Sequence, residues 1–283
     1  MRRHINMPET DKIIDIEKEF KTSNSQFLRS LPPFVIRMIE KLIRQDEMNE
    51  TIYHNRDKTG VPFVRDVLKY WNVSVNVHGR ERLPENGRFV FAANHPVGGI
   101  DALSFFSVVG SIYPAIISPS NELLNIIPNI RPLLLGLNVF GRNSRDTAGE
   151  LNRLFESDKQ ILIFPAGEVS RRTNGSISDI TWQKSFITKA IQYKRDVVPV
   201  FISGRNSNLF YNVARIRKML GIKMYIETIL LPREMMKQHN STVSIVFGNI
   251  VPYQTFTREL THHEWAQYVK DEVYKLSENL KQT

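Results

Sequence analysis

Three short apolar runs set the class of fold open to this chain: residues 88–94 (RFVFAAN), 160–165 (QILIFP) and 196–203 (DVVPVFIS). Each is shorter than an ordinary helix and apolar throughout rather than alternating, so each reads as a strand covered on both faces. Helical patterns fill the intervals, at 101–109, 145–156, 182–193 and 207–220. Residues 73–78 alternate like an edge strand. Residues 113–117, 137–140 and 242–251 read as further strands, and 257–280 as a closing amphipathic helix. Strands alternating with helices predict an α/β domain, with a mixed, mostly parallel sheet flanked by helices.

The N-terminal third has another rhythm. Ile13, Ile16 and Phe20 suggest a short helix, and Phe34, Val35, Met38, Ile39, Leu42 and Ile43 recur at helical spacing after Pro32 and Pro33. A further helical pattern, Phe63, Val64, Val67, Leu68 and Trp71, opens after Pro62. Residues 1–72 are therefore expected to form a helical N-terminal segment ahead of a main domain at 73–283. The last two helices are basic and amphipathic. They read either as a pair packed on the main domain or as a hairpin lying in a membrane interface.

Charge narrows the choice of partner. Lys and Arg number 38 against 29 Asp and Glu, a formal net charge of +9. Residues 73–223 hold 19 basic and 11 acidic residues, so +8 of the excess lies in the middle of the chain. A nucleic-acid-binding arm would form a basic run at a terminus. Here the basic residues are interspersed with apolar strands, which suits a folded domain with a positive face toward a phosphate-bearing substrate or a membrane surface. Nucleic acid is not an expected partner: no P-loop, GxGxxG, HExxH or zinc-finger spacing occurs. With no cysteine at all, a thiol nucleophile is excluded.

Ligands of such sheets bind beyond the carboxyl ends of the strands, so the residues following each buried run carry the functional argument. After the first comes Asn94-His95-Pro96-Val97-Gly98-Gly99-Ile100-Asp101. The glycines permit a sharp turn, so that His95 and Asp101 meet across the loop. A carboxylate on one imidazole nitrogen fixes the tautomer and leaves the other to take a proton from a hydroxyl. The same residues also suit a turn with an aspartate helix cap. After 137–140 comes Arg142, whose fork suits a phosphate or carboxylate, or a surface pair with Asp146. After the second buried run, Phe164, Pro165, Gly167, Glu168, Ser170 and Arg171 form a loop fit for an anionic or hydroxylated group. In the third run, Val198-Pro199-Val200 walls an acyl chain or belongs to the core.

The order of these blocks, NHPVGGID, VFGR, FPAGEVSR and VVPV, resembles the four ordered blocks of the PlsC-like lysophosphatidic acid acyltransferase superfamily of glycerolipid acyltransferases. The likeness covers roughly residues 73–250. The local forms are most similar to the bacterial branch that carries the name hemolysin, which includes O-acyltransferases of ornithine- and glycine-type aminolipids. The resemblance implies His95 as general base and Asp101 as its partner. It also implies Arg142 at the acceptor's anionic head group and Phe164, Pro165, Gly167, Ser170 and Arg171 around the acceptor. Asn94, Gly98 and Gly99 complete the first block, and Pro199 stands near the acyl donor. The donor would be the thioester of coenzyme A or of acyl carrier protein, with no bound cofactor, no metal and no acyl-enzyme.

The sequence departs from that family in two places. Five residues separate His95 from Asp101 where four are usual, and Ala166 follows the proline where an acid is usual, with Glu168 two positions on. Both changes favour a hydroxyl-bearing lysolipid other than a glycerol phosphate. The competing readings are a thioesterase or other hydrolase, disfavoured because GxSxG is absent, and a non-enzymatic basic membrane-binding protein. No signal peptide is visible in the first twenty residues. The longest uncharged stretch, 102–121, is broken by Pro114, Pro119 and its serines. The expected location is the cytoplasmic face of the inner membrane, held peripherally.

Overall fold

The computed structural model describes residues 12–23, 25–137, 145–173, 175–222 and 225–280, and only the backbone of residues 27, 145–147 and 279. Five helices come first: α1 (Ile16–Thr22), α2 (Gln26–Arg29), α3 (Pro33–Ile43), α4 (Gln45–His54) and α5 (Gly60–Tyr70). The sheet region follows with β1 (Ser74–His78), β2 (Phe89–Ala93), α6 (Gly99–Val109), β3 (Ile116–Asn121), β4 (Leu134–Leu137), α7 (Arg145–Glu156) and β5 (Gln160–Ile163). A small hairpin, β6 (Arg171–Thr173) and β7 (Ser176–Ser178), precedes α8 (Ser185–Tyr193), β8 (Asp196–Ile202) and α9 (Asn208–Met219). The chain closes with α10 (Leu231–Met236), β9 (Thr242–Phe247) and α11 (His262–Lys275).

Seven strands form one sheet in the order β1-β9-β8-β2-β5-β3-β4. Neighbours are parallel except for the antiparallel pair β8–β9, which gives the mixed, mostly parallel sheet expected from the sequence. The alternation of side chains along β2 explains the three layers. Phe89, Phe91 and Ala93 enter one core with α5 and α6, whereas Val90 and Ala92 enter a second core with α7, α8 and α11. A strand covered on both faces has no polar side, which is why these runs are apolar throughout.

Pro199 sits inside a central strand, where a proline costs a ladder hydrogen bond. It is accommodated at a slip in the β8–β9 register: Val200 opposes Phe247, but Val197 bridges Val251, so one extra residue lies on the β9 side. The missing N–H falls within that bulge, and the Pro199 carbonyl accepts from Gly248 N–H at 2.8 Å.

The N-terminal helices belong to the same packing unit as the sheet. Ile43 and Ile52 share a core cluster with Phe91 and Val198, so the apolar interior runs without a break across residue 72. Of the two readings of these helices, α5 fits the packed one. In α5, Phe63, Val64, Val67 and Leu68 are buried, and the buried Trp71 donates its Nε1–H to Thr51 Oγ1 at 3.0 Å, so α5 has no apolar face to offer a membrane. By contrast α3 exposes Phe34 and Met38. The expected strand at 137–140 overlaps the described residues only at Leu137. That residue ends β4, which begins three residues earlier, and residues 138–144, with Arg142, lie outside the described residues.

Candidate active site

β2 ends at Ala93, and the next two residues fix the site. Asn94 is buried, and its amide completes the ladder to β8: Nδ2 donates to the Ile202 carbonyl at 2.9 Å and Oδ1 accepts from Ile202 N–H at 2.7 Å. The side chain acts as a strap between strand ends, with its donor and acceptor engaged inside the protein. His95 then leaves the sheet. Its Nδ1 lies 2.8 Å from Asp101 Oδ2, and its ring stacks on Phe164, centroids 4.0 Å apart and planes at 19°.

Asp101 is fully buried in the first turn of α6. The Oδ2 that faces His95 also accepts from Val97 N–H and Gly98 N–H, each at 2.9 Å. Two backbone N–H groups aimed at one oxygen near a helix N-terminus make that oxygen an acceptor toward the ring as well. The proton between the ring and the carboxylate therefore sits on Nδ1, and Nε2 presents its lone pair, with no hydrogen-bond partner among the described residues. Five intervening residues span the loop because Gly98 adopts φ +134° and ψ −129°, a conformation closed to other L residues, and so turns its N–H onto the carboxylate. Gly99 makes room for Met235, whose Sδ a Cβ would approach to 2.6 Å.

Gly98→Ala isolates the backbone contribution. A Cβ there meets no atom nearer than 3.8 Å, so the substitution introduces strain rather than a clash. The expected loss is about 1–3 kcal/mol of stability, together with a fall in kcat as Asp101 loses its fixed donors. A variant with the melting temperature and kcat of the parent would show that the loop geometry is not needed.

The main chain of His95 is held as firmly as its ring. Its carbonyl accepts from Ser170 N–H at 2.7 Å, and its N–H donates to Asp179 Oδ1 at 3.2 Å. Asp179 is buried. It accepts from Ser170 Oγ–H at 2.5 Å and from Trp182 Nε1–H at 2.9 Å, while its own N–H donates to the Tyr274 hydroxyl at 2.7 Å. Burial pushes the Tyr274 hydroxyl above the ordinary phenol range, so it stays protonated. Asp179 escaped the sequence reading because it lies 84 residues from His95 and outside every block. The polar stretch Ser-Asp beside Trp182 was its only trace.

The other residues named from the sequence divide sharply. Phe164 borders the base directly. Pro165 is buried, and Gly167 turns the chain at φ +72° with its N–H on the Phe164 carbonyl. Ser170 is engaged by Asp179. Glu168 accepts from Arg171, whose Nε lies at 2.9 Å. Arg171 is almost fully buried and also donates from Nη1 to Glu227 Oε1 at 2.7 Å. Glu227 is itself buried and holds Arg217, whose Nε lies 2.8 Å from Oε2 at an angle too bent for a hydrogen bond. Pro199 is buried in β8, and the cleft beside the site begins further on, at Phe201 and Ile202. That cleft, about 150 Å³, is also lined by Asn94, Pro96 and Ser170.

Part of the central positive charge is thus internal. Arg171 and Arg217 belong to the ion cluster. Arg195, fully buried, donates to the carbonyls of Phe155 and Lys159, and burial pulls its guanidinium down to about 10. Arg172 and Arg205 are exposed, and their Nη2 atoms lie 2.8 and 2.9 Å from the same oxygen, Asn208 Oδ1. Among the described residues no group of three or more His, Asp or Glu side chains is placed to hold a metal.

A family model described as acyltransferase matches residues 20–283. The chain is 40% identical over 265 residues to the lyso-glycine lipid O-acyltransferase of Bacteroides thetaiotaomicron, spanning 93% of this chain and 97% of that one. The chain belongs to the acyltransferase family. A protein of the same description from Phocaeicola vulgatus is also 40% identical, over 93% of this chain and 95% of its own. Among solved structures, the crystal structure of the 1-acyl-sn-glycerophosphate acyltransferase PlsC from Thermotoga maritima matches with a TM-score of 0.49 and 15% identity, covering 88% of this chain and 90% of that one. The acyltransferase family implied by the four blocks is borne out by the family match and by the two relatives. The family match also takes in α3, α4 and α5 of the enzyme, which fits their share in the common core.

Proposed function

We propose that the enzyme moves a fatty acyl group from a thioester to the hydroxyl of a lysolipid, with a monoacylated glycine lipid as acceptor. The observation that carries this reading is the His95–Asp101 pair, oriented by two backbone N–H groups, with Nε2 left to meet a hydroxyl. In the reaction the acceptor oxygen attacks the thioester carbonyl while His95 Nε2 takes the hydroxyl proton. The C–S bond then breaks, and the imidazolium returns the proton to the departing thiolate. The products are an ester and a free thiol, with no acyl group on the protein. Asp101 holds the ring and stabilises its charged form.

The donor in this reading is the thioester of coenzyme A or of acyl carrier protein. The relatives' name supports the glycine lipid over an ornithine lipid or lysophosphatidic acid, as does the departure at Ala166 and Glu168. Arg172 and Arg205, free of carboxylate partners among the described residues, supply positive charge for the acceptor's carboxylate, with Arg142 as a further candidate from the resemblance. No helix among the described residues is long and apolar enough to cross a membrane. We place the enzyme peripherally on the cytoplasmic face of the inner membrane.

The test offers purified protein an acyl-coenzyme A with monoacylated glycine lipid, ornithine lipid or lysophosphatidic acid, each alone, and follows diacylated product by mass spectrometry. The glycine lipid is expected to react at least about tenfold faster, the discrimination that about 1.4 kcal/mol of differential binding provides. Equal rates on lysophosphatidic acid would remove the acceptor assignment. Fatty acid released at the same rate without any acceptor would make the protein a hydrolase.

A further inference from the structure

We infer that the C-terminal half of α9 and the turn after it, together with the exposed face of α3, form the seat by which the enzyme sits on an anionic lipid bilayer. The inference rests on the reading of the acceptor as a lipid. The side chains of Met219, Leu220 and Ile216 are 75%, 68% and 55% exposed, and Tyr225 follows at 45%. On α3, Phe34 and Met38 are 65% and 59% exposed. Within each element these positions follow the three- and four-residue spacing that places side chains on one helix face. The elements are neighbours, since Leu42 of α3 packs into the small core formed by Tyr211 of α9 with Leu230. Large apolar side chains exposed on two neighbouring elements mark a binding face in a protein that is otherwise well packed.

Charge selects the occupant. On α9 the exposed cations are Arg215 and Lys218, and residues 208–222 contain no acidic residue. Arg215 and Lys218 lie beside the apolar side chains, the pattern of an amphipathic surface drawn to anionic head groups. A second copy of the chain meeting this face symmetrically would set Arg215 and Lys218 against their own equivalents, with no acid in the segment to compensate.

The seat also connects to the catalytic loop. Glu227 follows the apolar segment directly, and its carboxylate holds Arg171. Arg171 follows Ser170, whose N–H is bonded to the His95 carbonyl. The seat is thus joined to the main chain of His95 through one buried ion pair and one backbone hydrogen bond.

The experiment is co-sedimentation of the full-length protein with two kinds of vesicle, phosphatidylglycerol mixed with phosphatidylcholine, and phosphatidylcholine alone. The double variant Met219→Ser, Leu220→Ser is expected to lower partition onto the mixed vesicles by about tenfold or more. Lys218→Gln is expected to lower it about fivefold on mixed vesicles and to leave phosphatidylcholine binding unchanged. Both variants alter exposed positions, so melting temperatures equal to that of the parent verify that they fold. Unchanged partition of the double variant would overturn the inference. So would a parent protein that is dimeric in sedimentation velocity without vesicles and becomes monomeric in the double variant, since the face would then belong to a second copy. The vesicles carry no substrate, so a failure of acyl transfer would count against the proposed reaction and leave this result standing.

Discussion

His95→Ala is expected to lower kcat for acyl transfer by about 10³-fold with little change in stability. A positioned base accounts for roughly 10²–10⁴ in rate, and the His95 ring contributes little to the core beyond its stack on Phe164. Asp101→Asn should be milder, about 10²-fold. Val97 N–H and Gly98 N–H both point at the site of Oδ2, so an asparagine must place its oxygen there and still accept from Nδ1. The tautomer survives, and what disappears is the negative charge that stabilises the imidazolium. Initial rates with a labelled thioester, at saturating acceptor, read both effects. A His95→Ala enzyme within tenfold of the parent would remove histidine from the mechanism.

Glu227→Ala is expected to cost about 3–5 kcal/mol of folding stability. Glu227 has no exposed surface and faces two guanidinium groups, Arg171 and Arg217, whose side chains are only 5% and 7% exposed. Truncation leaves Arg171 with Glu168, and Arg217 with the Ile222 carbonyl and the face of Tyr225. One buried positive charge then lacks its counter-ion. Glu227→Gln keeps the shape and one acceptor and should fall between the parent and the alanine variant. Urea unfolding monitored by fluorescence measures the series. A midpoint shift equivalent to less than about 1 kcal/mol would show that the freed guanidinium reaches water.

How far the sequence foretold this structure depended on the physical origin of each signal. The runs that became β2, β5 and β8 were plain because strands buried on both faces must be apolar throughout. The helix at 145–156 fell where its amphipathic spacing placed it. β3 and β4 were displaced because Pro119 and the turns at 122–133 interrupt their pattern, leaving LLGL with no period to read. The hairpin β6–β7 was missed although Asn174-Gly175, a strong turn dipeptide, lies between its strands. Three-residue strands offer too few positions for alternation to show.

The candidate site was legible in the same uneven way. His95 and Asp101 were found because both lie on one short loop, so sequence proximity implied contact. Asp179 and Glu227 were not, since each reaches the His95 loop or Arg171 only across 84 or 56 residues of chain. Burial also reassigned residues that composition presented as ligand contacts. Ser170, Glu168 and Arg171 looked available in sequence, and the fold engages each within the protein.

The anchoring of His95 through Asp179 has a consequence for how this enzyme evolves. Ser170 and Trp182 donate to that one carboxylate and its main-chain N–H donates to the Tyr274 hydroxyl, so His95 is preorganised when the chain folds rather than when substrate arrives. A drift in acceptor preference that altered this inner frame would disturb the base itself. Under the proposed reaction, divergence toward new lipids has its freest ground at exposed positions such as Arg172 and Arg205, which take no part in that inner frame.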